Sequence, residues 1–188
     1  MTRPPADLAQ PAHAAPTLHH VMVVGGTATE WSDMQLDDWE KRIDELGSYC
    51  ASIGVPWLTV RVYRGEGSSE RDITTGGRHD VGGCCVAVDP HGDGRRRFAD
   101  AMNALEPTLT VTEATVNAAL YGPAESEPDL IVVLGPPTQL PPSLVWELAY
   151  AELVFIPVTW SEFGAGDLAA AVVDFAGRHR RFGGLDDE

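Results

Sequence analysis

The chain has 188 residues, with 13 Lys and Arg against 28 Asp and Glu and a net charge of −15. That length suits one domain with a sizeable core. The charge disfavours nucleic acid, anionic lipid and phosphate-rich compounds as lone ligands, because a protein that holds polyanions unaided presents a basic face.

Residues 1–17, rich in Pro and Ala and lacking an apolar leader core, predict a disordered arm and a cytoplasmic address. No apolar run approaches the roughly 18 residues of a membrane span. "HVMVV" (20–24) reads as a short buried strand. Leu36, Trp39, Ile43, Leu46, Cys50 and Ile53 then recur at spacings of three and four. They predict an amphipathic helix of about five turns, stopped by Gly54 and Pro56. "WLTVRVY" (57–63) is the second strand, and the Gly- and Ser-rich residues 65–83 read as a loop. "CCVAVD" (84–89) is the third strand. Its adjacent Cys84 and Cys85 point to opposite faces, so together with Cys50 they read as buried thiols rather than a disulfide frame or a metal cluster. "DPHGD" reads as a turn before a helix over about 95–105, in preference to a metal-ligand set of Asp89, His91 and Asp93. Arg95–Arg97 read as a solvated helix face, with an anion site as the sharper reading. Thr112 caps a helix to Leu120, "DLIVVL" (129–134) is the fourth strand, and "SLVWELAYAEL" (143–153) reads as helix. "VFIPVTW" is a last strand, where Pro157 argues for an edge or a bulge. Asp167 opens a closing helix with Leu168, Val172 and Phe175 inward. Strands alternating with helices predict an α/β domain with a mainly parallel central sheet flanked by helices, over 18–184, followed by an acidic tail at 185–188.

Several stretches resemble the cis-prenyltransferases, the undecaprenyl diphosphate synthase family. "WELAYAELVF", with Trp160 and Phe163 after it and Arg181-Phe182-Gly183 at the end, is similar to the family's W-x-x-A-Y-A-E-L-x-F segment and closing R-x-G. "EPDLIVVL", "GRRRFADAM" (94–102) and "HVMVVGG" with Trp31 fall in register upstream. The resemblance implies a cis-prenyltransferase-like fold. It also implies that the first strand should end in an Asp handling Mg²⁺ and an allylic diphosphate, but that position is Gly26, and a phosphate-side Arg becomes Glu30. At the second site the family's R-x-S-G-E-x-R-x-S-N becomes residues 133–142: the two Arg are Val133 and Gln139, and the Ser is Pro141. The long helices that wall the family's product tunnel are largely deleted, leaving the polar residues 65–83.

Arg is the usual partner of a diphosphate, and each lost electrostatic donor costs on the order of 10²–10³ in rate. Proline cannot substitute with backbone N–H groups. The resemblance therefore implies a chain with no catalytic residue of its own and no metal or cofactor bound alone. It would be a non-catalytic subunit like the Nogo-B-receptor type, lending Arg181 and Gly183 in trans to the isopentenyl diphosphate site of a catalytic partner whose own site holds Mg²⁺. Arg181-Phe182-Gly183 also reads simply as a helix C-terminus. The resemblance puts Trp146, Tyr150, Glu152 and Phe155 at a dimer interface; Glu152 matches a family Glu associated with Mg²⁺ and reads here as structural. Two alternatives stand beside this: a stand-alone enzyme on small prenyl diphosphates with a rearranged site, built from Arg64, Arg71, Arg78 and Arg95–Arg97, or a homodimeric scaffold.

Overall fold

The computed structural model describes residues 18–63, 77–124 and 126–178. The terminal segments, including Arg181 and Gly183, lie outside them, as do Arg64 and Arg71. In chain order the elements are β1 (His20–Val24), α1 (Ala28–Asp33), α2 (Leu36–Ser52), β2 (Trp57–Arg61), β3 (Gly77–Val81), β4 (Cys84–Asp89), α3 (Gly94–Ala104), α4 (Glu113–Tyr121), β5 (Leu130–Leu134), a 3-10 turn (Glu147–Ala149), β6 (Glu152–Ile156) and α5 (Ala165–Gly177). They form one six-stranded sheet, ordered β3-β4-β2-β1-β5-β6, in which all neighbours are parallel except the β3–β4 pair. The α/β expectation is met.

The strands read as continuous apolar runs because both faces of the sheet are covered. On one face Val21, Val23, Leu58, Val60, Val86, Leu130 and Val132 meet the inward stripe of α2 (Trp39, Ile43, Leu46, Cys50) and Leu168, Ala171 and Phe175 of α5. Trp39, Ile43, Leu46 and Cys50 keep the predicted spacing, while the stripe's end members Leu36 and Ile53 are exposed, and Gly54 follows the C-cap at φ +78°, where only glycine is unstrained. On the other face Met22, Val24, Ile131 and Val133 make a smaller core with Tyr121 of α4 and Leu144. Cys84 and Cys85 do point apart, Cys84 being buried and Cys85 half-buried.

Two elements differ from expectation. Residues 143–153 are not a helix: the chain makes a single 3-10 turn and then enters β6, whose Glu152–Ile156 pair in register with Leu130–Leu134. The composition "AYAEL" favours helix, but a parallel ladder against a fully buried strand wins, as tertiary pairing commonly does over local propensity. β6 is an edge strand, and Pro157 follows it directly, where no ladder hydrogen bond is lost. The second difference is β3, inside the presumed loop. It turns into β4 through Gly82 and Gly83 at φ +60° and +92°, the backbone of a tight hairpin. No helix occupies the described residues between β2 and β4.

Candidate functional site

The C-terminal ends of β1, β2, β4, β5 and β6 share one edge of the sheet, where open α/β folds keep their ligand-binding groups. Strand order reverses between β1 and β5, so the favoured crevice lies beside Gly25, Gly26 and Gly135. It is filled. A Cβ on Gly25 would stand 2.6 Å from Leu134 Cγ, and one on Gly26, at φ +74°, would stand 2.7 Å from Trp31 Cδ1 and 2.9 Å from Trp160 Cγ. Trp31 is locked there by its Nε1, which donates to Gly25 O at 3.0 Å, and by ring contacts with Trp39 and Trp160.

The short helix α1 begins at Thr27 with a capping box. Thr27 Oγ1 accepts from Glu30 N at 3.1 Å, and Glu30 Oε2 accepts from Thr27 N at 2.7 Å. Outside Trp160 lies a cavity of ≈610 Å³ bordered by Glu30, Asp33, Asp38 and Glu45 against Lys41 and Arg42. Arg42 is committed to Trp160 O (2.6 Å) and Ser161 O (3.3 Å) and stacks over the Trp160 ring. This side of the edge carries a net negative charge.

After β5, Gly135 N donates to Ile156 O at 2.9 Å, and the Pro-rich stretch lays itself on the start of α3, with Gly94 N donating to Pro142 O at 3.2 Å. Val133 sits inside the sheet with its side chain in the smaller core.

The other half of the edge is charged. Arg61, the last residue of β2, is 0% exposed. Its Nε donates to Asp89 Oδ2 at 2.9 Å, and its Nη1 donates to Glu147 Oε1 at 2.6 Å. Arg97 of α3 reaches the same two carboxylates, with Nε 3.4 Å from Asp89 Oδ2 and Nη1 3.1 Å from Glu147 Oε1. Parallel register puts Asp89 directly opposite Arg61, and the 3-10 turn delivers Glu147. Burial opposes the charge on Asp89, but Arg61, the His91 ring and Arg97 outweigh it and hold the carboxyl well below its usual range. Glu147 is likewise lowered, since Arg61 and Arg97 overcome its burial. Burial, reinforced by Glu147, pushes the Tyr121 hydroxyl up. His91 Nδ1 lies 2.8 Å from Asp89 Oδ1, and that hydrogen bond raises the imidazole. Three buried side-chain groups beside this quartet have no hydrogen-bond partner: Arg61 Nη2, Tyr121 Oη and Ser143 Oγ.

Next to the quartet a cleft of ≈650 Å³ runs between the sheet face and α4, with Trp57, Thr59, Arg61, Arg78, Tyr121 and His91 on its walls. His20 is buried behind it, with Nδ1 2.9 Å from Ser126 O and Nε2 2.8 Å from Thr59 Oγ1. Burial pushes its pKa down to about 4, so it is a neutral structural link.

A sequence model described as "Putative undecaprenyl diphosphate synthase" matches residues 75–183, more than half the chain. The chain belongs to this family. Among curated cis-prenyltransferase relatives, Isoprenyl transferase 2 of Bradyrhizobium diazoefficiens is 42% identical over 76 residues, 40% of this chain and 30% of that protein. The (2E,6E)-farnesyl-diphosphate-specific ditrans,polycis-undecaprenyl-diphosphate synthase of Lactiplantibacillus plantarum is 41% identical over 80 residues, 41% of this chain and 31% of that protein. The matched stretches thus span about a third of those relatives' lengths. The crystal structure of a probable undecaprenyl diphosphate synthase from Campylobacter jejuni superposes with a TM-score of 0.61 at 17% identity, covering 90% of this chain and 100% of that one; the likeness is one of fold.

In the cis-prenyltransferase register, Gly26 is the residue under the two Trp rings and Glu30 is the capping-box acid. Trp146 is half-buried, stacks on Phe98 with ring centroids 5.4 Å apart and donates from Nε1 to Asn117 Oδ1 at 2.7 Å. Tyr150 is 74% exposed, Glu152 at the start of β6 lies 3.4 Å from Arg178 Nη1, and Phe155 packs on the smaller core. Asp93 caps α3 by accepting from Arg95 N and Arg96 N. Of Arg95–Arg97 only Arg97 turns inward.

Sequence reasoning missed Arg61 and Glu147. The signal was present: each is a lone charge inside an apolar run ("LTVRVY", "LVWELA"), and a buried charge requires a partner. No group of three or more His, Cys, Asp or Glu able to hold a metal ion occurs among the described residues, and no described helix is long and apolar enough to cross a membrane.

Proposed function

We propose that this chain is a non-catalytic member of the cis-prenyltransferase family that pairs with a catalytic homologue. In this reading it lends Arg181 and Gly183 in trans to the partner's isopentenyl diphosphate site, and Mg²⁺ belongs to the partner's centre. The observation that carries the reading is the closure at Gly26. The position where the family resemblance expects a metal-handling carboxylate is covered by Trp31 and Trp160, and the adjoining cavity is acidic. A diphosphate would meet like charge there and, among the described residues, no arginine free to grip it.

The pairing surface is supported by where large apolar side chains stay exposed. Leu140, Val145, Leu148 and Tyr150 fall within eleven residues, on the segment that runs from the Pro-rich stretch to β6. Exposed apolar residues gathered in this way mark interaction surfaces. Trp146, Glu152 and Phe155, which the resemblance puts at the same interface, lie in or beside that segment and are held by Asn117, Arg178 and the smaller core respectively.

Co-expression with a full-length catalytic homologue tests this. Native mass spectrometry should give a 1:1 complex, and Arg181→Ala should cut polyprenyl diphosphate synthesis without dissociating it. Unchanged synthesis, or a chain that forms only homodimers, refutes the subunit role; the homodimer would favour the scaffold. A second reading, a stand-alone enzyme on short prenyl diphosphates, is favoured by the convergence of Arg61, Arg78 and Arg97 on one cleft. Product formed by the purified chain with such diphosphates and Mg²⁺ would establish it.

A further inference from the structure

The cleft beside the charge quartet holds a donor with nothing to donate to. Arg61 is wholly buried, and its Nε and Nη1 are engaged by Asp89, Glu147 and Ser143 O, but Nη2 has no partner. A buried charged donor left unsatisfied bears the full cost of its desolvation, so the site calls for an acceptor from outside. The walls state which kind. The charges of Arg61 and Arg97 are matched by those of Asp89 and Glu147, both carboxylates being held ionised by the guanidiniums. Arg78 brings a third cation to the opposite wall: register pairs it with Ala87 across the β3–β4 ladder, so both face the cleft, and its Nη2 donates to Gly122 O at 2.8 Å. Counting the lining residues and Glu147, one positive charge is therefore in excess, with Asp80 on the same face of β3 beyond the lining, within a chain of net charge −15. Between the cations the lining is Trp57, Ala87, Leu120 and Ala124, a surface for an apolar body.

We propose that this cleft binds a small organic monocarboxylate, its carboxylate balanced by Arg78 and its oxygens accepting from Arg61 Nη2, an atom covered in the free chain that the ligand must uncover, and its apolar body lying against Trp57 and Leu120. Arg–carboxylate hydrogen bonding suits a single planar anion. A diphosphate would bring at least two charges to a wall with one to offer. The proposal does not depend on the subunit reading, since it concerns the opposite half of the sheet edge and needs no second chain.

Octanoate serves as probe, with octanol matching its body without the charge and inorganic diphosphate matching the charge without the body. Isothermal titration with the whole chain should show saturable octanoate binding, octanol weaker by about tenfold or more, corresponding to about 1.4 kcal/mol. Arg78→Gln and Arg78→Glu should lower octanoate affinity progressively; both lose the same exposed bond to Gly122 O, so their thermal unfolding without probe should match each other while their affinities differ. Trp57 fluorescence should shift on saturation in wild type and return in Arg78→Glu. Octanoate and octanol binding equally, Arg78→Glu binding as wild type, or diphosphate displacing octanoate would each overturn the proposal; the last would favour the stand-alone prenyltransferase reading.

Discussion

Gly26→Asp restores the residue type that the family resemblance places at the end of β1, and the structure gives the cost of doing so. The backbone at 26 has φ +74°, a region that costs an L-residue roughly 1–2 kcal/mol, with Asp toward the lower end. The new Cβ would lie within 2.9 Å of Trp160 Cγ and closer still to Trp31. Overpacking of this kind costs about 1–3 kcal/mol. Displacing Trp31 would also weaken its 3.0 Å bond to Gly25 O, a further loss of about 1 kcal/mol. We expect a loss of about 3–5 kcal/mol in urea unfolding, a large share of an ordinary domain's stability. Gly26→Ala should lose a similar amount, since backbone and contact dominate over the carboxylate. Neither variant should gain Mg²⁺-dependent turnover of a prenyl diphosphate. A Gly26→Asp protein within about 0.5 kcal/mol of wild type, or one that acquires turnover, would refute the view that the tryptophans close this position.

Acid should act through His20. Its folded pKa of about 4 lies below the ordinary 6.5, so unfolding takes up a proton; the contribution is complete above pH 6.5 and is lost as pH falls toward 4. Between pH 7 and pH 4 wild type should lose about 3 kcal/mol more than His20→Gln, measured by urea unfolding at each pH; parallel pH profiles would contradict this. Arg61→Met leaves Arg97 as the one arginine shared by Asp89 and Glu147, with His91 on Asp89 alone, and should cost about 3–5 kcal/mol. Adding Glu147→Gln should recover part of that loss, and a double-mutant cycle with no coupling would count against the quartet acting as a unit.

What could be read from sequence follows from how locally each feature is encoded. The boundaries of β1 and β4 were legible because "HVMVV" and "CCVAVD" are unbroken apolar runs with turn residues on both sides, and α2 because its stripe repeats over seventeen residues. β3 was not legible: Gly77-Arg78-His79-Asp80 is fully exposed, so no apolar alternation marks it, and only the Gly82-Gly83 turn hinted at a hairpin. The misreading of 143–153 has a non-local cause, since the strand character of β6 resides in its partner β5, some twenty residues away. Gly26 was recognisable as a departure from a family pattern, but the tryptophans that cover it come from positions 31 and 160 and meet only in three dimensions. The charge quartet likewise draws on four separate elements, and no spacing rule joins Arg61 to Glu147.

The hairpin tip at Gly82-Gly83 offers a practical handle. Among the described residues nothing lies within 4 Å of a Cβ placed at Gly83, so a short inserted tag there would project into solvent. Because β3 and β6 close opposite ends of the six-strand sheet, such a reporter would sit about 24 Å across the strands from β6, five spacings of about 4.8 Å each. Fluorescence anisotropy read from that corner can therefore test the proposed pairing through the Leu140–Tyr150 segment without the label crowding it.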